Sequence, residues 1–368
     1  KCVETLRWVS AEFMKILVVM KNWLGDLLFQ MPALDLIKQK YPSAEIFCVA
    51  PERCREILEA NPAVSGFIAF DEKSTHRFWF HRIGFVFHLR KLGPWQEGYL
   101  FHRSRSRAAF LWLAGVKKRI GFGRGRKFFL TESVKEPAEK LHQLDYFMEL
   151  MKGAGYQVPV SPKYRFYFRE GDEVQALKIL RQEGLTEGAR YVCFHLGANW
   201  EPKRWPVSHF AKLAFKIFGK WGVPIVVTGS AGDRAMFENF RAEIRRLTGN
   251  GGLDPAVVDL VGKTALRISA WIYKNAMCLV TGDSGPMHMA SGAGARVVAL
   301  FGPTDPHLTG PRGIGENRVL QYVPSGYSIP FFGKELPEEG WLSKITPEAV
   351  FEAVEQLGAF PPQPRQNL

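Results

Sequence analysis

The sequence is short of several things that would otherwise define it. It has five cysteines in 368 residues, Cys2, Cys48, Cys54, Cys193 and Cys278. The number is odd and no pair has C-x-x-C spacing, which argues against a disulfide framework and against a zinc site and favours a reducing, cytosolic compartment. No apolar run approaches the ~20 residues a membrane-spanning helix needs, since "MKILVVM" and "VVALFG" are only strand-length. The first thirteen residues, "KCVETLRWVSAEF", lack the long apolar segment of a signal peptide and precede the first clear strand, so residues 1–13 are expected to form an extension outside the fold. There is no D-x-D triplet, no H-E-x-x-H and no G-x-S-x-G. Support is thereby lost for metal-held nucleotide sugars, zinc proteolysis and serine hydrolysis, and no metal is expected.

Acid is also scarce. Lys and Arg number 49 against 36 Asp and Glu, a net charge of +13, so the chain should be drawn to polyanions: nucleic acid, phosphorylated lipid or a phosphorylated small molecule. The remaining composition, 46% hydrophobic and 23% charged, is that of an ordinary globular protein. Its length suits two medium domains better than one, because single cores stop growing at roughly 250–300 residues.

From Met14 the pattern alternates. "KILVVM" reads as a strand, "DLLFQMPALDLIKQKY" as a helix interrupted by Pro32, "AEIFCVA" as a strand, "ERCREILEA" as a helix and "GFIAF" as a strand. After a middle zone the alternation resumes, with strands in "YVCFHLGA", "PIVVTGS", "AVVDLVG", "MCLVTGD" and "ARVVALFG" separated by helices in "PVSHFAKLAFKIFGKWG", "DRAMFENFRAEIRRLTG" and "RISAWIYKNA". The chain ends in "TPEAVFEAVEQLGAF", a helix with Thr346 as N-cap and Pro347 at its first position. Such alternation implies two α/β halves with parallel sheets, hinged near "GYQVPVSPKYRFYFREGDE". Open α/β sheets bind ligands beyond the carboxyl ends of their strands, so the loops there are where chemistry is expected.

Three loops stand out. In "VTGDSGPMHMASGAGARVVALFG" a strand ends at Gly282-Asp283-Ser284-Gly285 and Pro286 opens a helix, which brings free backbone N–H groups to the sheet edge where a phosphate can sit. A simple helix cap at Asp283 or Ser284, with His288 a packed helix residue, is the alternative. The loop Asn199-Trp200-Glu201-Pro202-Lys203-Arg204-Trp205-Pro206 sets two cations between two tryptophans, residue types that suit a diphosphate or a nucleobase. In "KNWLGD", Asn22, Trp23 and Asp26 lead into a helix; Gly25 lets the backbone turn, and Asp26 is either a cap or a functional carboxylate. "GFGRGRKF" and "GAGARV" resemble pieces of a dinucleotide fingerprint but lack its spacing and context, and no cofactor is expected.

Between Arg77 and Lys127, "RFWFHRIGFVFHLRKLGPWQEGYLFHRSRSRAAFLWLAGVKKRIGFGRGRK" interleaves cations and aromatics around a single acid, Glu97. Nucleic acid is one partner such a run suits; an anionic, lipid-bearing surface is the other. No nucleic-acid module signature is present, which favours the lipid surface.

Taken together, "MKILVVMKNWLGDLLFQMPALDLIKQKYPSAEI", "AGVKKRIGF", "FHLGANWEPKRWP", "LVGKTAL" and "VTGDSGPMHMASGAGARVVALFGPTDP" resemble glycosyltransferase family nine, the ADP-heptose:lipopolysaccharide heptosyltransferases, from Met14 to about Phe360. The Trp-Leu-Gly-Asp form of the first loop looks more like the heptosyltransferase II type. The resemblance implies a GT-B fold: α/β, with two Rossmann-like domains whose parallel sheets face across a cleft. In that scheme residues 14–165 form the N-terminal acceptor domain, 166–345 the C-terminal donor domain, and 346–368 a helix and tail returning to the first domain. It also implies an inverting, metal-independent transfer of heptose from ADP-heptose to the lipopolysaccharide inner core or a lipid A-linked acceptor. From the cysteine usage and the basic-aromatic run, the expected location is cytoplasmic, peripheral on an anionic inner-membrane surface.

Residue by residue, Asp26 matches the family's general base and Lys203 a lysine on the donor diphosphate. Asp283, Ser284, Gly285 and His288 match its donor-binding strand-loop-helix motif, with Asn199 and Arg204 beside it. Thr264 and Asp233 fall where the family contacts the adenosine, and Asn22, Trp23, Arg119 and His142 fall toward the acceptor. Two rival readings are a GT-B transferase using another nucleotide sugar for a cell-surface glycan and a basic nucleic-acid-binding protein without catalysis.

Overall fold

The computed structural model describes residues 14–72, 74–249, 257–326, 329 and 340–357, and the expected extension of residues 1–13 lies outside them. The chain forms two units. The first is built on a six-stranded parallel sheet of β1 (Lys15–Val19), β2 (Glu45–Ala50), β3 (Gly66–Ala69), β4 (Glu97–Leu100), β5 (Lys118–Phe122) and β6 (Glu132–Val134), in the order β3-β2-β1-β4-β5-β6. The second sheet, of β7 (Val192–His195), β8 (Ile225–Gly229), β9 (Val257–Val261), β10 (Leu279–Gly282), β11 (Val297–Phe301) and β12 (Asn317–Gln321), runs β12-β11-β10-β7-β8-β9. Counted within its own unit each order is 3-2-1-4-5-6, the doubly wound Rossmann arrangement, and every pairing is parallel. The α/β class with two Rossmann-like units is therefore observed.

Strands covered on both faces must be apolar throughout, and the central ones are. The Lys15–Val19 strand is buried after its first residue, and Val297–Phe301 is buried along its whole length. The covering helices are α1 (Leu24–Phe29), α2 (Met31–Lys40), α3 (Arg55–Leu58), α4 (Trp79–Leu92), α5 (Arg105–Leu113), α6 (Gln143–Gly153), α7 (Asp172–Gln182), α8 (Val207–Trp221), α9 (Arg234–Thr248), α10 (Leu266–Asn275), α11 (Gly285–Ala293), α12 (Pro306–Thr309) and α13 (Pro347–Gln356). In α8, Phe210, Leu213, Ala214, Ile217 and Trp221 fall at three- and four-residue spacing and line one buried stripe. The middle zone of the first half, left without elements by the sequence pattern, holds α4, β4, α5 and β5 and continues the same alternation.

The units are not two consecutive stretches of chain. The first takes the chain up to Asn22, then Ala33–Glu136 and Leu150–Val158; the second takes Trp23–Pro32, Pro137–Glu149 and everything from Pro159. The expected boundary at residue 165 thus falls a few residues late and misses two excursions. Each excursion is held by specific contacts within the second unit. Phe29 of α1 sets its ring edge-on to His142, Tyr164 and His288, with centroids 5.1, 5.6 and 4.8 Å away. Arg312 pairs with Asp145 at 2.5 Å.

The C-terminal helix α13, expected to return to the first domain, packs within the second unit. Val350, Ala353 and Val354 join the core beneath α8, Phe351 stacks on Trp221 at 4.9 Å, and Lys216 reaches Glu348 at 3.0 Å. Thr346 caps it, its hydroxyl accepting from the Ala349 N–H at 3.2 Å.

Candidate active site

In a doubly wound sheet the crevice opens where the strand order reverses, which in the second unit lies between β7 and β10. The loops leaving those two strands meet there. Lys203, in the single turn of 3-10 helix after β7, places its Nζ 2.6 Å from Oδ2 of Asp283, the first residue after β10. Both side chains are largely buried, at 15% and 6% exposure, so this is a desolvated ion pair and not a surface one. Gly282 makes the approach possible: a β-carbon at that position would run into the Lys203 carbonyl oxygen.

Neither Asp283 nor Ser284 caps α11 through its side chain. Asp283 is turned to Lys203, and the Ser284 hydroxyl lies 3.1 Å from Thr281 Oγ1. The capping alternative for these two residues is therefore replaced by an arrangement that leaves the first amides of α11 without a side-chain cap. Pro286, in the first turn, has no N–H to satisfy. The rest of α11 is Met-His-Met-Ala-Ser-Gly-Ala, buried from Met287 to Ala293. Gly294 ends it at φ 90°, the left-handed conformation a glycine adopts without strain.

Helix α1 packs directly on α11. A β-carbon on Gly285 would stand 2.7 Å from Leu24 Cδ2, and one on Gly25 would stand 2.8 Å from His288 Cδ2. Gly25 is helical and has no positive φ, so its use is to admit the His288 ring and not, as the sequence suggests, to turn the backbone. Asp26 is the next residue, partly exposed in the first turn of α1, three positions past the cap residue Trp23. Asp26 thus lies on the helix that covers α11, next to the glycine that touches His288.

Two histidines in this region are held neutral. His288 is buried, its Nδ1 3.1 Å from the Tyr164 hydroxyl, and burial draws its pKa down to about 4, with Asp283 opposing the shift and His142 and Lys203 assisting it. His142 is also drawn down to about 4, chiefly by burial. Its Nδ1 accepts from the Leu144 N–H at 3.1 Å, so its Nε2 carries the hydrogen that faces the Gly310 carbonyl at 3.0 Å. That fully bonded imidazole closes the start of α6.

The other expected site residues separate. Arg204 does not join Lys203; it is exposed and donates from Nε to the Ala198 carbonyl at 2.9 Å, bracing its own loop. Trp205 offers no stacking face, being 1% exposed with its indole N–H bonded to the Ile345 carbonyl at 2.9 Å. Asn199 is exposed on the same loop. Thr264, in the loop after β9, shares a 2.7 Å hydrogen bond with Ser269, and Asp233 forms a capping box with Ser230 after β8. Both lie at the carboxyl edge of the second sheet.

In the first unit, the Asn22 carbonyl accepts from Arg53 at 2.8 Å, and Arg119 donates to the carbonyls of Phe129 and Val116 at 2.6 Å each, which ties β5 to the following turn. Trp23, the cap residue of α1 and part of the second unit, is 55% exposed. Sequence reasoning missed Tyr164 and Phe29, which surround His288. The alternating aromatics of "KYRFYF", apolar rings inside a Pro-rich connector, were the available signal.

In sequence and in fold the chain is similar to known proteins. Residues 102–338 match the family model described as glycosyltransferase family 9 (heptosyltransferase). Lipopolysaccharide heptosyltransferase 2 of Escherichia coli K12 is 28% identical over 371 residues, covering 94% of this chain and 98% of the relative. A solved structure described as E. coli ADP-heptose lps heptosyltransferase II superposes with a TM-score of 0.74 at 25% identity, over 94% of this chain and 98% of the other. The family 9 glycosyl transferase of Veillonella parvula DSM 2008 gives a TM-score of 0.81 at 24% identity, over 94% and 97%. The chain belongs to glycosyltransferase family 9, the heptosyltransferase family, and is a glycosyltransferase.

Proposed function

We propose that this enzyme transfers heptose from ADP-heptose to a hydroxyl of the lipopolysaccharide inner core, with inversion and without a metal, Asp26 acting as general base. The observation that carries the reading is the buried Lys203–Asp283 pair at the switch point, beside the uncapped start of α11 and beneath the helix that bears Asp26. The named E. coli relative, 94% of this chain in extent, supports the donor and the acceptor class.

The chemistry follows from the residue types. The acceptor hydroxyl attacks the anomeric carbon as the bond to the ADP oxygen breaks, and its proton passes to Asp26. A carboxylate suffices because proton transfer accompanies attack on an oxocarbenium-like centre. Negative charge then grows on the departing diphosphate, where Lys203 and the first amides of α11 supply fixed positive charge and donors. Asp283, already neutralised by Lys203, would repel a phosphate oxygen less than a lone carboxylate and is better suited to accept from heptose hydroxyls. His288, neutral at pH 7, would contribute as a hydrogen-bonding and packing group. Thr264 and Asp233 would lie toward the adenosine, and His142, with its ring nitrogens both engaged, would serve through the position of α6.

Asp26→Asn tests the assignment. Turnover with ADP-heptose and a purified core acceptor should fall roughly 10²–10⁴-fold, the usual size of a general-base contribution, while thermal protection by ADP stays as in the parent. Near-normal turnover in that variant would sink the assignment. Comparing ADP, UDP and GDP in the same thermal assay separates this reading from a transferase using another nucleotide sugar, because a ligand bound to the folded state stabilises by RT ln(1 + [L]/Kd).

A further inference from the structure

Helix α4 has an unusual face. Of its fourteen residues only Phe85 and Leu89 are buried, one turn apart on a narrow seam. Trp79, Ile83 and Phe87, at four-residue spacing, form a second apolar line that points to solvent, with exposures of 72%, 46% and 63%. Phe78 and Phe80 extend it, stacked on each other at 5.5 Å and both about half exposed. An apolar groove of about 270 Å³ runs along this helix, with Ile83, Val86 and Phe87 on one side, Phe110 and Leu113 of α5 on the other, and Arg82 and Arg90 at its margins. Beyond Leu113, Trp112 is 47% exposed and meets Phe128, 80% exposed, at 6.0 Å.

The charge carried by this stretch of chain is almost all of one sign, and acids from outside it pair with three of its arginines, Glu72 with Arg107 and Glu136 with Arg103 and Arg126. Between Arg77 and Lys127 the sequence has thirteen Lys and Arg and a single acid, Glu97. That acid is buried and occupied, accepting from the Tyr41 and Tyr99 hydroxyls at 3.0 and 2.6 Å. Arg90, Lys91, Arg105, Arg124 and Lys127 are exposed.

We infer that the α4–α5 face of the first unit docks on an anionic phospholipid bilayer, its aromatic line entering the headgroup layer and its guanidinium groups meeting lipid phosphates. Aromatic rings are favoured at that depth, and each Lys or Arg close to the surface strengthens binding to anionic lipid. A second copy of the chain is disfavoured as the occupant, because two such faces would bring like charges together. Nucleic acid accounts for the cations but not for Ile83, Val86 and Leu113, which offer a base no stacking face. An apolar groove flanked by arginines matches a lipid, with acyl chain and phosphate in one molecule. The inference is independent of the identity of the sugar donor.

The test is sedimentation of the full chain with phosphatidylcholine vesicles, with and without phosphatidylglycerol, together with Trp quenching by lipids brominated along the acyl chain. Binding should require phosphatidylglycerol, weaken with salt, and fall about five-fold for each of Arg82→Gln and Arg90→Gln, the fold expected for one interfacial cation. Phe87→Ser should reduce binding, and Trp79→Phe should remove part of the quenching, while ADP protection and turnover on a short water-soluble acceptor remain at the parent level. Equal binding to both vesicle types, loss-free binding in all four variants, an oligonucleotide that displaces the vesicles through these same residues, or a concentration-dependent dimer that Phe87→Ser dissolves would each overturn the inference.

Discussion

Strands β4 and β10 hold equivalent places in the two sheets, each beside the first strand of its unit at the reversal of strand order, and each feeds a nine-residue helix. After β4 the chain reads "FHRSRSRAAFLWLAG", and α5 buries Arg107, Ala108, Phe110 and Leu111 while Trp112 and Leu113 face outward. After β10 it reads "DSGPMHMASGAG", and α11 is buried from Met287 onward. Small residues explain the second case: Gly285 lets α1 lie against the helix backbone, and Gly292 does the same for the Tyr164–Phe166 segment. Large cationic and aromatic residues explain the first. One topology thus gives a closed helix beside a buried ion pair in the second unit and a helix presented to solvent in the first.

The largest expected break in this contrast comes from Lys203→Met. Removing one member of a buried pair leaves an uncompensated carboxylate, which typically costs about 3–5 kcal/mol. Urea denaturation should show that loss, and turnover should drop at least ~10²-fold, the usual effect of removing a preorganised donor to developing charge. Adding Asp283→Asn should return much of the stability and none of the turnover. Arg105→Gln, at the start of the equivalent helix in the first unit, should stay within about 0.5 kcal/mol of the parent.

Gly282→Ala comes next. The last residue of β4 is Leu100, buried in the first core, whereas the last residue of β10 is Gly282, against the Lys203 backbone. Added volume at a close backbone contact costs about 1–3 kcal/mol and displaces the loop that bears Lys203. A fall in Tm accompanied by weaker ADP protection is expected; an unchanged Tm would mean that the loop is not held against β10 in solution.

Acid gives a smaller effect. The folded pKa of His288, about 4, lies below the ordinary value near 6.5, so the folded state binds fewer protons than the unfolded one. Its contribution is fully present above about pH 6.5 and is lost as pH falls toward 4, amounting to about 2 kcal/mol at pH 5. His142 behaves the same way, and His102 in the first unit is drawn to about 3. Denaturation midpoints at pH 7 and pH 5 should therefore differ less in His288→Gln than in the parent.

Much of the second unit was legible because its strands are continuous apolar runs and its loops end in Gly-Asp-Ser-Gly or Lys-Arg. The pairing of Lys203 with Asp283 was not, since the two residues are eighty positions apart and only the strand order joins them. Arg204 and Trp205 show the limit of composition: adjacent side chains on an extended loop point apart, so one residue reaches the site while its neighbours brace the loop or enter the core. In the first unit, aromatics and cations interrupt the apolar periodicity of α4, so the segment read as a patch before it read as a helix. The excursions of residues 23–32 and 137–149 depend on Phe29, His142 and Asp145 finding partners far along the chain, which no local pattern records.

Phe87→Ser sharpens the comparison by having the least effect on stability. Full burial of a phenylalanine is worth about 1.5–3 kcal/mol, and truncation of a core phenylalanine costs ~3–5 kcal/mol. Phe87 is 63% exposed, and little of that stabilisation is available to it, whereas Phe85, two residues earlier, is buried against Phe70 and Phe110 at 4.6 and 5.6 Å. Phe87→Ser should leave the urea midpoint within about 0.5 kcal/mol of the parent, and Phe85→Ala should lower it several-fold more. If both proved equally destabilising, Phe87 would belong to the core of the first unit, and the apolar line on α4 would be accounted for by folding alone.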